Sequence, residues 1–288
     1  MSGISNYVAP RSLDEAAELL RAGNVTLLAG GTDLMPQSRN GRTQLRPTLM
    51  SIRRVAELRG ISEAAGNVRI GALTTISELR DSVLVRERLQ ALWQACDRFA
   101  SDQIRNAATI GGNICNASPA GDTLVPLLVL DAQVELASKS NGTLATRAVP
   151  IADFLLGPGQ TARAATEILS GIVLALPPRH FISSFFKFGT RPALDISLIS
   201  VGLAARRAGN ALHDVRVAFG AVAPRPIRAP AAEAALEGKA LDDGVIAVAA
   251  AAAEAEIHPI SDVRASDWYR REMVRNMFTR VLAHVRDR

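Results

Sequence analysis

An α+β fold is predicted for this 288-residue chain: two small subdomains over about residues 1–56 and 57–176, then a C-terminal domain over 177–288. Three observations predict it. Capped helical stretches alternate with short apolar runs over the first 176 residues. The pair Pro177-Pro178 breaks the chain within Leu174–Arg179, as a boundary would. Beyond it come three strand-like runs and then Ala-rich and Arg-rich helical segments, the pattern of a three-stranded antiparallel sheet plus helices.

The elements follow in order. Ser12-Leu13-Asp14-Glu15 has capping-box spacing, and Leu13, Ala16, Ala17, Leu19 and Leu20 give the apolar face of the helix it opens. Gly23 ends that helix. Val25–Ala29 suits a buried strand that delivers the chain to Gly30-Gly31, and Leu49–Ile52 suits the next. Val68–Ala72 predicts a strand, Thr75-Ile76-Ser77-Glu78 a second capping box, and Leu89–Phe99 a helix. Ala100–Asp122 is long, small-residue and without clear periodicity; its low charge and its embedded Ile104, Ile110 and Ile114 favour a functional loop over a disordered one. Leu124–Leu130 continues into Gln133–Ala137, and Asn141-Gly142 is a hairpin signal. The later strand-like runs are Phe185–Phe188, Ile196–Ala204 and Val215–Val222.

Composition narrows the classes. Apolar residues at 48% and charged residues at 21% are those of a packed protein. No run of about 18 apolar residues exists to span a membrane, and Ile246–Ala253 is short and followed by Glu254 and Glu256. The opening Met1–Tyr7 lacks a basic start followed by an apolar core, so a cytoplasmic protein is expected. A net charge of +5 raises nucleic acid as a ligand, but the arginines are dispersed and aromatics are only 4%, which leaves few surfaces for bases to stack on. No nucleic-acid partner is expected. The dense basic segment Arg264–Arg288, with Arg270, Arg271, Arg275, Arg280, Arg286 and Arg288 at helical spacing, predicts a solvated helix face, with an acidic protein partner as the alternative. Cys96 and Cys115 are the only cysteines, and His180, His213, His258 and His284 are scattered. Neither an iron–sulfur cluster nor a structural zinc site can be built from them, so any metal chemistry belongs to a partner.

Two glycine turns carry the chemistry. Leu27-Leu28-Ala29-Gly30-Gly31-Thr32-Asp33-Leu34 and Ala108-Thr109-Ile110-Gly111-Gly112-Asn113 each hold a Gly-Gly pair beside a threonine. Glycine permits left-handed backbone and close ligand approach, and successive inward amides bind anions, most often phosphate. Two such turns can hold the two phosphates of a dinucleotide from both sides.

These turns resemble, in this order, those of the FAD-binding medium subunit of the molybdenum hydroxylases, the xanthine dehydrogenase and carbon monoxide dehydrogenase family. The likeness covers nearly the whole chain. It includes Tyr7–Pro10, the Asp33-Leu34 ending, the run from Gln103 through Asn116-Ala117-Ser118-Pro119 to Asp122, and the stretches Arg191–Ser197 and Gly220–Pro226. The resemblance implies a two-subdomain FAD-binding domain of the vanillyl-alcohol-oxidase type. It implies an oxidoreductase subunit that binds FAD and passes electrons from [2Fe–2S] clusters to an external acceptor. The partners it implies are a small iron–sulfur subunit and a large molybdenum-cofactor subunit, assembled as a dimer of heterotrimers.

By position, the resemblance implies that Leu27, Leu28, Ala29, Gly30, Gly31, Thr32, Asp33 and Leu34, with Thr109, Ile110, Gly111, Gly112 and Asn113, wrap the diphosphate and neighbouring atoms. Asp122 accepts ribityl or ribose hydroxyls, Phe99 lines the nucleotide site, Leu169 packs near the flavin, and Lys187 lies near the flavin, where a positive charge favours the reduced anion. The bland alternatives are core packing for Leu169 and Phe99 and a surface place for Lys187. For Asp33, charge argues against a phosphate contact, so its side chain is expected to cap the helix at Leu34 while its N–H serves the ligand. Cys115 is expected to be a small buried residue rather than a redox centre. No general acid or base is needed, and no catalytic residue is assigned. Two departures matter: the cysteine-rich insertion of the hydroxybenzoyl-CoA reductases is missing, and Thr32-Asp33 stands where the carbon monoxide enzymes tend to carry His-Ser. The first argues against that reductase branch and for an ordinary hydroxylase; the second leans away from carbon monoxide as the substrate. The competing readings are a self-sufficient FAD-dependent oxidoreductase acting on a small substrate, for which His180 and His213 offer no attachment point at the turns, and a non-enzymatic dinucleotide-binding module.

Overall fold

Ser12 turns the chain into its first helix. In the computed structural model, which describes residues 3–178, 180–191 and 194–287, the Ser12 hydroxyl accepts the Glu15 amide at 3.1 Å. Met1, Ser2, Arg179, Pro192, Ala193 and Arg288, all within segments singled out above, lie outside the described residues. Glu15 folds back not onto Ser12 but onto the Arg11 amide, at 2.8 Å, so only half of the capping box forms. β1 (Asn6–Val8) precedes this helix, α1 (Leu13–Arg21), which buries Leu13, Ala16, Ala17 and Leu20. β2 (Val25–Leu28), α2 (Leu34–Arg39) and β3 (Thr48–Ser51) follow, and the three strands form a parallel sheet in the order β1–β3–β2.

A 3₁₀ turn at Ala56–Leu58 leads to β4 (Ile61–Ala64) and β5 (Asn67–Gly71). The chain then makes a long helical excursion: α3 (Ile76–Asp81), α4 (Val83–Arg88), α5 (Gln90–Asp97), α6 (Asp102–Arg105), α7 (Ile110–Asn116) and α8 (Leu124–Val129). Thr75 makes both halves of its capping box with Glu78, at 3.2 and 2.6 Å. β6 (Gln133–Ser140) and β7 (Thr143–Pro150) turn at Asn141-Gly142, both at positive φ, as that dipeptide predicts. After α9 (Ile151–Phe154) and the ribbon β8 (Leu155–Gly157) with β9 (Gln160–Thr161), β10 (Ile168–Ala175) returns to the middle of an antiparallel sheet ordered β4–β5–β10–β6–β7.

The remaining chain builds a third sheet. β11 (Phe181–Phe188), β12 (Ile199–Ala208) and β13 (Ala211–Gly220) are the three expected strands, and a two-residue β14 (Ile227–Arg228) adds a fourth to the antiparallel order β11–β12–β13–β14. β12 and β13 run farther than their apolar runs suggest, since Arg206 and Arg207 keep the strand alternation to the turn at Gly209-Asn210. α10 (Pro230–Leu236), α11 (Asp243–Glu256) and α12 (Asp267–Arg286) complete the unit, with Phe219 of the sheet edge-on to Phe278 of α12 at 5.5 Å.

α8 belongs to two cores at once. Every residue from Leu124 to Val129 is buried. One side packs with α5 and α9, and the other lies on β11, β12, β13 and β14. Gly202 and Gly220 allow this approach, because a Cβ at either would lie within 3 Å of the Val125 side chain (2.8 and 2.9 Å). The basic C-terminal helix departs from a wholly solvated face. Arg275 and Arg280 are exposed, but Arg270 is buried, donating to both Asp262 oxygens at 2.9 and 3.0 Å and to the Ala221 carbonyl at 3.0 Å.

Candidate functional site

The first glycine turn leaves the end of β2 and reaches α2 with Gly31 at φ 76°, a left-handed conformation that suits glycine. Between Ala29 and Leu34, six consecutive residues, no backbone amide donates to any acceptor among the described residues. All but Asp33 are partly buried. Amides entering a helix N-terminus have no intrahelical partner, so these donors are free for an acceptor from outside the fold, water included. Asp33 holds the N-cap position of α2 but makes no capping bond. Its carboxylate accepts the Gln37 side-chain amide one turn on, which replaces the expected cap.

The second turn behaves differently. Thr109 caps α7 by accepting the Gly112 amide at 3.1 Å. Ile110 donates to the Thr74 carbonyl at 3.0 Å, Gly111 to that of Ala72 at 2.9 Å, and Asn113 to that of Thr109 at 3.0 Å. Its amides are therefore committed to the fold, and the picture of two equivalent amide cradles does not hold. Gly111 is needed for packing, since a Cβ there would lie 2.7 Å from both Ala72 Cβ and the Ala72 carbonyl oxygen. Gly112 is exposed and faces open space but for the Thr109 hydroxyl.

The two turns meet. Gly30 abuts the Ala107 backbone so closely that no Cβ fits between them. Gln37, bonded to Asp33, also donates to Asn116 Oδ1 on α7 at 3.3 Å. From α7 the network runs on: Thr123 donates to Asn113 Oδ1 at 2.7 Å, and the next residue toward the N-terminus is Asp122. Asp122 is buried, with Lys187 Nζ at 2.7 Å from Oδ2 and the Ser197 hydroxyl at 3.0 Å from Oδ1. Lys187 therefore does not lie as a free surface cation; its ammonium is matched by the Asp122 carboxylate. Burial raises Asp122 above the ordinary carboxylate range, against the pull of Lys187 and Ser197.

The other singled-out residues frame this centre. Phe99 follows α5, partly buried, and its carbonyl accepts Arg105 at 2.5 Å. The neighbouring Arg98 carbonyl lies 3.5 Å from Lys187 Nζ. Leu169 is core, packed in the cluster that includes Ile110 and Ile114 of α7, and the adjacent Ser170 carbonyl accepts the Ala72 amide that backs Gly111. Leu27, Leu28 and Ala29 are partly buried, and Leu27 and Ala29 line the core beneath α1. Cys115 sits on α7, where burial pushes its thiol up to about 11, and thiols that stay protonated are inert. Gln37, Asn116 and Ser197 were missed by the sequence reasoning.

An unpaired-amide turn, a second turn pressed against it and a buried carboxylate beyond define a two-lobed nucleotide-binding class with a sheet-and-helix unit appended. The family described as FAD binding domain in molybdopterin dehydrogenase matches residues 3–177, and the CO dehydrogenase flavoprotein C-terminal domain matches residues 184–285. The chain belongs to this molybdopterin-dehydrogenase flavoprotein family. It is 34% identical over 288 residues to the xanthine dehydrogenase FAD-binding subunit of Escherichia coli O157:H7, spanning 98% of this chain and 96% of that one. It is 34% identical over 271 residues to the glyceraldehyde dehydrogenase medium chain of Sulfolobus acidocaldarius, spanning 94% of each. Carbon monoxide dehydrogenase from Hydrogenophaga pseudoflava has the same fold, with a TM-score of 0.93 at 32% identity and 99% of each chain covered. Among the described residues no helix is long and apolar enough to cross a membrane.

Proposed function

We propose that this chain is the FAD-binding electron-transfer subunit of a cytoplasmic molybdenum hydroxylase. It would take electrons from the [2Fe–2S] clusters of a small partner and release them to an external acceptor. The molybdenum cofactor would lie on a large partner, the three chains forming a dimer of heterotrimers. The observation that carries this reading is the run of unpaired amides from Ala29 to Leu34 beside α7. An FAD diphosphate is the anion that fits such a cradle in this family.

The chain's own residues then divide the work. Gly30, Gly31, Thr32, Asp33 and Leu34 offer backbone amides to the diphosphate, with Leu27, Leu28 and Ala29 fixing the turn from below. Thr109, Ile110, Gly111, Gly112 and Asn113 form the opposite wall, where Gly112 leaves room for the phosphates. Asp122 accepts sugar or ribityl hydroxyls, Phe99 lines the nucleotide, and Leu169 and Lys187 bound the flavin end. When bound, FAD supplies the one- and two-electron redox chemistry that side chains lack. The FAD-binding part is residues 1–176, with subdomains parting near residue 56, and 177–288 is the C-terminal domain; the change of sheet between β10 and β11 supports this division. The names of the relatives span xanthine, glyceraldehyde and carbon monoxide, and the hydroxylated substrate is a property of the large partner.

The test is to purify the tagged chain gently from its own host and to quantify FAD, iron and molybdenum per copy. About one FAD, four irons and one molybdenum, with a small and a large partner, are expected. FAD on a partner-free chain would instead favour a flavoenzyme that acts on its own substrate.

A further inference from the structure

We propose that Ser197 is a positioning residue of the flavin site, holding the Asp122 carboxylate where it can serve both Lys187 and the cofactor's hydroxyls. This rests on the reading of the site as FAD-binding. A carboxylate offers about four lone-pair sites. Lys187 takes one on Oδ2 and Ser197 one on Oδ1, at 2.7 and 3.0 Å, which leaves acceptor capacity on each oxygen for a ligand. The lysine bond alone lets the carboxylate turn about its own axis; a second donor on the other oxygen fixes the plane.

Ser197 is itself held firmly. It is buried, with 1% of its surface exposed, and its hydroxyl donates to Asp122. On one side Asp195 gathers the Thr190 hydroxyl and the amides of Thr190, Arg191 and Ile196. On the other, the Leu198 amide donates to the Phe188 carbonyl at 2.8 Å. The C-terminal unit thus carries a preset donor into the first unit's site. Pre-positioned donors cost no rearrangement when the ligand arrives.

The ionisable groups facing Asp122 are the Lys187 ammonium from β11 and the Cys96 thiol from α5, which burial keeps protonated. Ser197 donates to the ionised carboxylate and so favours it, against a burial that disfavours it. Losing the hydroxyl therefore raises Asp122 further.

The test uses the full chain with Ser197→Ala and Ser197→Thr, titrated with FAD by flavin fluorescence from about pH 5 to 8, and melted without FAD over the same range. Ser197→Ala is expected to bind FAD about tenfold more weakly. Its loss of affinity on acidification should move up by about one pH unit, the equivalent of one charge-assisted hydrogen bond. Without FAD, the range over which stability falls with rising pH should extend upward. Ser197→Thr should restore all three. If Ser197→Ala does not fold, Ser197→Cys, of similar size but a weak donor, should give the same shifts. A Ser197→Ala (or Ser197→Cys) chain with wild-type affinity and wild-type pH profiles overturns the proposal, as does a Ser197→Thr chain that behaves like Ser197→Ala. Wild-type protein that takes no FAD would overturn the FAD reading instead, and the FAD-free melts would still decide whether Ser197 holds Asp122.

Discussion

Gly30 and Ala107 touch backbone to backbone, where the first glycine turn passes the loop that leads into the second. The contact is between two segments that share no sheet, and the missing Cβ of Gly30 is its condition. Gly30→Ala should therefore part the two turns. An overpacked contact of this kind costs about 1–3 kcal/mol, and FAD affinity should drop about 100-fold as the amides move. Melting and FAD titration of the same protein check this; a stable variant with normal affinity would contradict it.

Gly112→Val should separate binding from folding. Outside the helix's own backbone, the atom nearest an added Cβ is the Thr109 hydroxyl, at 2.9 Å, so the fold loses about 1–2 kcal/mol of helix capping. The branched side chain stands where the phosphates are placed, and FAD should no longer copurify. The chain should still melt cooperatively within a few degrees of wild type.

The Asp122–Lys187 pair bears on both stability and binding. Burial raises Asp122 in the folded chain. A raised carboxyl contributes stability that is fully present below its ordinary titration range and is lost as pH rises through the raised value. Asp122→Asn has no carboxyl to ionise, so in the FAD-free chain this pH-dependent loss should vanish, while the buried Lys187 ammonium, left without its counter-ion, should lower the pH 7 melting temperature. FAD affinity should fall about tenfold or more. Removing one partner of a buried ion pair leaves the other charge uncompensated. An unchanged FAD dissociation constant would remove Asp122 from the site.

Glu167 shows the opposite sign. Its hydrogen bond from Arg147, at 2.5 Å, is the largest influence holding its carboxyl below the ordinary value, with the Ala164 amide assisting. The stability it contributes is present above the ordinary glutamate range, near 4.5, and is lost as pH falls through the lowered value. Arg147 is half exposed, so Arg147→Ala should cost only about 1 kcal/mol at pH 7. The difference from wild type should shrink on acidification below that range, as urea midpoints across pH will show.

What was legible in the sequence was local. Thr75 with Glu78 and the Asn141-Gly142 turn are fixed by neighbours within four residues, and the structure forms both. The half-made box at Ser12 and the uncapped Asp33 show where a competitor wins: Arg11 offers Glu15 a nearer amide, and Gln37 takes the Asp33 carboxylate one turn on. Pairings across the chain were beyond spacing arguments. Asp122 and Lys187 are 65 residues apart and Gln37 and Asn116 are 79 apart, so only the fold brings them together. Arg270 was legible in principle. It shares a helical face with Met273, Val274 and Met277, all buried, and that register should have set it apart from Arg275 and Arg280.

The doubly buried α8 has a consequence for exchanging parts between relatives. The two family matches part between residues 177 and 184, which invites a crossover there. The packing seam lies elsewhere, along Leu124–Val129, with Val125 nested against Gly202 and Gly220. A chimera joined at residue 180 would inherit α8 from one parent and the strands it rests on from the other. Such hybrids should recover only when Val125, Gly202 and Gly220 come from the same parent, so the heritable unit is the contact and not the domain.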